Sequence, residues 1–213
     1  MTPFPVILSA PSGAGKTTIA RRLLAERSDL GYSVSCTTRA PRGAEREGRD
    51  YFFLSPGEFV ARQRRDEFAE SAEVHGNLYG TLRSEVARVL ESGRHVIMDI
   101  DVQGASQFRR AFPQSVLVFV LPPSADALLE RLRARKTESR AELAARMISA
   151  LEELRSVREY DYVIVNAELD DAVARVGAII DAESSRGERQ NELGSGLSAL
   201  IAELEEAARA AAS

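Results

Sequence analysis

Short, nearly continuous apolar runs recur along this chain. Between them lie longer stretches in which apolar residues return every three or four positions. Val6–Leu8, Val96–Ile100, Val116–Leu121 and Tyr162–Val165 lack a polar face and predict strands covered on both sides. Thr17–Glu26, Leu82–Ser92, Val102–Ala111, Ala125–Arg135, Arg140–Glu159 and Asp170–Glu183 carry the helical period. Buried strands alternating with helices predict an α/β fold: a parallel sheet with helices on both faces. Ligands of such sheets bind beyond the carboxyl ends of the strands.

Three segments depart from that pattern. Residues 32–81 are rich in Ser, Thr, Arg, Gly and aromatics. There, the β-type runs Tyr51–Leu54 and Phe68–Val74 flank a short helix beginning near Pro56, and Gly76-Asn77 reads as a tight turn. We read this as a small, mostly β insertion. The polar, basic stretch from Arg133 to Arg140 reads as a mobile loop between two helices. The tail is loop-like from Gly187 to Gly196. It then becomes amphipathic, with Leu197, Leu200, Ile201 and Leu204 at helical spacing. That face reads either as a terminal helix docked on the core or as a contact between copies of the chain.

A length of 213 residues suits one such domain with small inserted pieces. The net charge of −4 argues against a general nucleic-acid or membrane-surface binder. Charge is uneven, however. Residues 39–65 hold seven arginines against four acids, which suits a small anionic ligand. Cys36 is the sole cysteine, so no intrachain disulfide forms and a reducing compartment is expected. The first strand begins too early for a signal peptide, and no apolar run approaches the ~20 residues that span a bilayer. The expectation is a cytoplasmic protein.

The first strand leads into Ala10-Pro11-Ser12-Gly13-Ala14-Gly15-Lys16-Thr17-Thr18, and a helix follows. Strand, small-residue loop, Lys-Thr and helix together form a phosphate-binding P-loop. Backbone N–H groups turn inward to hold phosphate oxygens, and the helix adds its positive dipole end. Lys16 then reaches the terminal phosphates and the Thr17 hydroxyl sits on Mg²⁺. The usual signature opens on Gly where this chain has Ala10, which is tolerated if φ there is negative. Only Lys16 and Lys136 are lysines among 28 basic residues, yet a lysine stands in the loop. A compact ammonium suits that place better than a planar guanidinium.

The second informative stretch runs Ser33-Val34-Ser35-Cys36-Thr37-Thr38-Arg39-Ala40-Pro41-Arg42, followed by Gly48-Arg49-Asp50-Tyr51. Two guanidinium forks and a phenol make a plausible cage for a monophosphate, although a solvated basic loop would carry the same charge. With the P-loop, Phe68-Ala69-Glu70, Gly76-Asn77-Leu78-Tyr79-Gly80-Thr81, Asp99-Ile100-Asp101-Val102-Gln103-Gly104 and Tyr162-Val163-Ile164-Val165-Asn166, the chain resembles guanylate kinase over roughly residues 4–186.

The resemblance implies a P-loop NTPase-type fold and transfer of the γ-phosphoryl group of ATP to GMP, with Mg²⁺. It also implies organisation. Residues 1–186 form the kinase domain, with its core at 1–31, 82–132 and 147–186, a GMP-binding insertion at 32–81 and a lid at about 133–146; residues 187–213 form a helical tail. Arg39, Arg42, Tyr51 and Tyr79 match the residues that hold the GMP phosphate, and Glu70 the one that reads guanine. A carboxylate accepts from both N1–H and the 2-amino group, while Ser35 and Thr81 hydroxyls serve O6. Adenine leaves such a site unpaired, which can cost up to ~10⁴–10⁵-fold. Arg131, Arg135 and Arg146 resemble lid arginines, and Asn166 matches a position near the adenine of ATP. The family's lid usually has glycines where this chain has Ala134 and Lys136, which bears on lid stiffness.

Asp99 ends a buried strand and reads as a support for Mg²⁺. Asp101 reads either as a GMP ligand or as the N-cap of the next helix. No acid–base pair is expected, because phosphoryl transfer rests on alignment and charge neutralisation. His75 and His95 read as structural, and no spacing suggests zinc. Cys36 reads either as a site where an alkylating reagent would be felt or as a small packing residue. Two other functions share parts of this pattern. A guanylate-kinase-like phosphopeptide-binding module would lose the P-loop lysine or lid arginines, both kept here. A sugar-phosphate kinase would not need Glu70, Ser35 and Thr81.

Overall fold

The computed structural model describes residues 1–11, 13–74, 76–133, 140–190 and 193–211. Five parallel strands form the main sheet: β1 (Pro5–Ser9), β2 (Leu30–Tyr32), β7 (His95–Asp99), β8 (Val116–Leu121) and β9 (Tyr162–Val165), in the order β2-β7-β1-β8-β9. Four strands form a second, smaller sheet: β3 (Cys36–Thr37), β4 (Phe52–Phe53), β5 (Phe68–Val74) and β6 (Asn77–Leu82), in the order β4-β3-β6-β5. The α/β reading, with a parallel sheet flanked by helices, holds, with one correction: at the edge strand β9 one face is open, and Val163 and Val165 are about half exposed.

Alternation along β1 divides the core. Val6 and Leu8 point toward α1 (Lys16–Glu26) and α7 (Leu169–Ser184), meeting Ile19, Leu23, Val176 and Ile180. Ile7 points the other way. It packs with Val86 and Val89 of α3 (Arg83–Glu91) and Phe108 of α4 (Val102–Ala111). Both sides of β1 are fully buried, so truncating Leu8 to Ala would cost about 2–5 kcal/mol. His95 belongs to this core. Its Nδ1 accepts from the Phe4 N–H at 3.2 Å, and burial lowers its pKa, favouring the neutral ring. His75 lies outside the described residues.

The second sheet has its own small core, Cys36, Phe59, Phe68 and Leu82, with Phe59 stacked on Phe68. Phe59 comes from α2 (Pro56–Arg64), whose start carries a capping box: Ser55 accepts from the Glu58 N–H and Glu58 from the Ser55 N–H. Helices α5 (Ala125–Arg133) and α6 (Arg140–Arg155) pack on each other through Leu128, Leu132 and Ala150.

Differences from the sequence reading are local. The pattern missed β2, β3 and β6. Leu82, placed in a helix, ends β6 instead. The helix expected to run to Glu159 tightens into a 3-10 turn at Ser156–Glu159. Past Gly187 the chain stays tied to the core. Arg189 is buried over the Phe4 ring at 4.0 Å and pairs with Glu183 at 3.0 Å. The last helix, α8 (Leu193–Ala211), begins earlier than expected, and Leu197, Leu200, Ile201 and Leu204 are each about half exposed. The reading of that helix as docked on the core is therefore corrected. Among the described residues, no helix is long and apolar enough to cross a membrane.

Candidate active site

The loop leaving β1 lies at the carboxyl edge of the sheet. Gly13 and Gly15 have φ of 88° and 97°, the left-handed region that favours glycine. Ala10 is not among the residues with positive φ, so alanine fits there without strain. Gly15 is required on a second count: a Cβ there would lie 2.5 Å from Nδ2 of Asn166. No side chain caps α1, whose N-cap is Gly15. Its first N–H groups and dipole are thus presented to an anion. Lys16 has no ion-pair partner among the described residues, and Thr18 is exposed at the helix start. Pro11 and Ala14 are buried, the Pro11 carbonyl accepting from the Ala14 N–H at 2.9 Å. Ser12 lies outside the described residues.

Two elements brace this loop. Asn166, buried just beyond β9, donates from Nδ2 to the Ala14 carbonyl at 2.8 Å. Its amide nitrogen is thus committed to the loop backbone, a role the sequence did not disclose. Arg131 of α5 donates to the same carbonyl at 3.4 Å. Arg146 instead donates to the Leu132 carbonyl, tying α6 to the end of α5. Arg135, Ala134 and Lys136 lie outside the described residues.

Asp99 is opposite Leu8 in the β1–β7 register, next to the loop. The Thr17 hydroxyl donates to its carboxylate. Two hard oxygen donors side by side at a phosphate loop fit Mg²⁺, which takes one or two protein oxygens and fills its octahedron with phosphate and water. Two residues on, Asp101 caps α4, accepting from the Gly104 N–H at 2.7 Å. The capping role is present, with one carboxylate oxygen committed to it.

In the insertion, Arg39 is nine-tenths buried. Its Nε donates to the Tyr79 hydroxyl at 3.3 Å, and its guanidinium stands over the Tyr51 ring at 5.5 Å. Tyr51 and Tyr79 meet edge to face. Three of the four residues expected at the GMP phosphate are therefore in mutual contact, and Arg42 is exposed beside them. The sequence reading missed Glu45. Its carboxylate takes Nη1 and Nη2 of Arg39 at 3.0 and 2.9 Å and accepts from the Arg42 N–H at 2.8 Å. The hydrogen bonds from Arg39 hold the Glu45 carboxyl below its ordinary pKa. An acid three residues after an arginine in a Pro-Arg-Gly turn was the available signal.

Glu70 is 6% exposed and sits directly across from Thr81 in the β5–β6 register. The Thr81 hydroxyl donates to its Oε1 at 2.6 Å. Burial pushes the Glu70 carboxyl up to about 7, with the Asp101 charge adding to the rise and the Thr81 bond opposing it. Ser35 is half-buried just before β3, its carbonyl accepting from the Phe52 N–H at 2.9 Å. A buried carboxylate with a hydroxyl beside it can accept two adjacent N–H donors, and its burial makes an unpaired arrangement costly. Cys36, by contrast, is fully buried in the insertion core with its thiol pushed up to about 11. Of its two readings, the structure supports the packing residue and not the alkylation target.

Over most of its length the chain is similar to known proteins. The family model described as guanylate kinase matches residues 2–183. A guanylate kinase of Symbiobacterium thermophilum is 49% identical over 181 residues, 85% of this chain and 86% of the relative. One from Caldanaerobacter subterraneus is 44% identical over 188 residues, 88% of this chain and 91% of the relative. Among solved structures, a guanylate kinase from Anaplasma phagocytophilum superposes with a TM-score of 0.73 at 34% identity, covering 91% of this chain and 93% of its own.

Proposed function

The chain belongs to the guanylate kinase family, and from that premise we propose how its residues bring about phosphorylation of GMP by ATP. The observation that carries the proposal is the short bridge between the two sites. Asp99 is bonded to Thr17 of the P-loop, and five residues later Gly104 lies against the Glu70 carboxylate, 3.1 Å from where its Cβ would be. A triphosphate loop and a purine-reading carboxylate are thus set by one stretch of backbone.

In this reading the backbone of residues 10–18 and Lys16 hold the ATP phosphates, while Asn166 keeps the loop in shape. Arg39, Arg42, Tyr51 and Tyr79 hold the GMP phosphate, and Glu70 with Thr81 and Ser35 reads the base. Asp101 contributes from the cap of α4. A GMP phosphate oxygen attacks the γ-phosphorus of ATP, the bond to the bridging oxygen breaks, and ADP leaves. The nucleophile is already anionic, so no protein base is needed. The residues align two polyanions, screen their repulsion and exclude water. Thr17 and Asp99 would hold Mg²⁺, which supplies positive charge to the phosphates when bound. Arg131, Arg135 and Arg146 are assigned the role of lid arginines, Arg131 from the core just before the lid at about 133–146, and residues 32–81 are assigned to the GMP-binding insertion. We extend the proposal to dGMP as an acceptor and to a cytoplasmic location, and assign the exposed face of α8 to contact between copies of the chain.

The test is an ADP-release assay with Mg-ATP against GMP, AMP, CMP and UMP. Rapid turnover confined to GMP supports the assignment. Turnover with every monophosphate, or with none, overturns it. A sugar-phosphate kinase is disfavoured by the buried Glu70–Thr81 pair, which a sugar does not use. A phosphopeptide module is disfavoured by the intact Lys16 and Arg131.

A further inference from the structure

We propose that helix α4 positions the base-reading carboxylate of Glu70, through the side-chain amide of Gln107 and through the bare Cα of Gly104. The inference rests on the GMP kinase reading and names a determinant of its base specificity.

Strand β5 is the edge of the second sheet. On its open side, Ser71 meets the Gln107 amide, which pairs with it as a neighbouring strand would. Gln107 Oε1 accepts from the Ser71 N–H at 3.1 Å, and Gln107 Nε2 donates to the Ser71 carbonyl at 3.1 Å. The Ser71 N–H belongs to the same peptide plane as the Glu70 carbonyl, so the clamp fixes the backbone that carries Glu70. The strand needs this restraint. Its register against β6 slips between Phe68 and Glu70, a bulge that bends the chain and re-aims the next side chain. Ala69, at the bulge, is buried among Ala105 and Phe108 of α4. One turn of α4 before Gln107, Gly104 faces the carboxylate itself. A Cβ there would stand 3.1 Å from Glu70 Oε2, tighter than ordinary van der Waals contact, with Ile100 at 3.2 Å and Asp101 at 3.3 Å closing the other sides. The carboxylate is therefore held by Thr81 at one oxygen and confined by α4 at the other.

The test uses the full chain and steady-state kinetics with GMP and IMP. IMP keeps N1–H and O6 but lacks the 2-amino donor, so the ratio of kcat/KM values reads whether Glu70 still engages both donors. Gln107→Leu keeps size and removes both amide bonds. We expect its KM for GMP to rise about tenfold and its preference for GMP over IMP to fall about tenfold, equivalent to about 1.4 kcal/mol. Its KM for ATP, and its kcat at saturating GMP, should stay within about twofold. Gly104→Ala should shift the same two quantities in the same direction while the chain stays folded, since the three tight contacts fall on side-chain ends and alanine favours the helix. This second variant keeps the test decisive if Gln107→Leu folds poorly. Unchanged GMP/IMP preference in folded Gly104→Ala, or equal losses for both substrates in either variant, overturns the inference. If the wild-type chain makes no GDP, it is the kinase reading that fails, not the role of α4.

Discussion

Glu45 grips both terminal nitrogens of the Arg39 guanidinium, at 2.9 and 3.0 Å, in the place where a monophosphate would be recognised. Together with the Ala40 carbonyl and the Tyr79 hydroxyl, it fixes the arginine's fork before any phosphate contact is made. Ordering that long side chain in advance removes an entropic cost from GMP binding. Glu45→Ala should therefore raise the KM for GMP, by about tenfold, with kcat little changed. A fall in KM would mean instead that the carboxylate competes with the phosphate.

Lys16 is free to act on phosphate because it serves no internal ion pair among the described residues. Lys16→Ala should lower kcat by about 10²–10³-fold, the scale of removing one preorganised charge donor. Thermal denaturation should move by no more than about 2 °C, as for a side chain with no ion pair among the described residues. Near-normal kcat would remove Lys16 from the reaction.

Asn166 braces the P-loop from a buried position, so its loss is felt at the nucleotide site and in stability alike. Asn166→Ala leaves the Ala14 carbonyl with only the longer Arg131 donor at 3.4 Å, at a cost of about 1 kcal/mol. The melting temperature should fall, and direct titration should show weaker ATP binding. An unaltered ATP affinity with a lowered melting temperature would confine Asn166 to the scaffold.

The Glu70 carboxyl, raised to about 7 from an ordinary 4.5, sets a pH dependence whose sign is fixed. Guanine needs the ionised form as a double acceptor, so KM for GMP should rise as pH falls from about 8 to 6. In the protein without nucleotide the sign is opposite. The folded state binds this proton more tightly than the unfolded one, so the stability contribution is present below about 4.5 and is lost as pH rises through about 7. The phosphate of GMP also titrates, near about 6, but Glu70→Gln shares that titration and isolates the carboxylate. Identical pH profiles for the two proteins would remove Glu70 from the base site.

Cys36 is sealed under Phe59 and Phe68 with its thiol pushed up to about 11. Iodoacetamide at neutral pH should leave the folded enzyme unmodified and fully active, and label it only in denaturant. Rapid labelling of the native chain would show that the insertion core opens readily.

What the sequence disclosed follows from how each feature is encoded. Val116–Leu121 was legible because a strand buried on both faces must be apolar at every position. Tyr162–Val165 was legible from the same kind of apolar run, but as the edge strand β9 it leaves Val163 and Val165 about half exposed, which the run did not disclose. The P-loop was legible because few residue types satisfy its backbone and its lysine at once. Cys36–Thr37 and Leu30–Tyr32 were not, because two- and three-residue strands carry no period and exist through their partners, Gly80 and Val96 among them. The amphipathic period of α8 was legible, but not its exposure, since spacing along a helix does not say what covers it. Glu45 and Gln107 escaped for a related reason. Each acts by bonding to a residue whose own role must first be known, and in the chain they stand as an ordinary loop acid and an ordinary helix amide.

The central claim is that a base-blind phosphate loop and a guanine-selective insertion meet across the short bridge from Asp99 to Gly104. The most direct measurement is initial velocity of the purified chain with Mg-ATP and either GMP or AMP, comparing wild type with Glu70→Ala. The account predicts fast conversion of GMP to GDP, little turnover of AMP, and a sharply reduced GMP/AMP ratio in the variant. Comparable rates with AMP in the wild-type chain, or a ratio untouched by loss of Glu70, would contradict it.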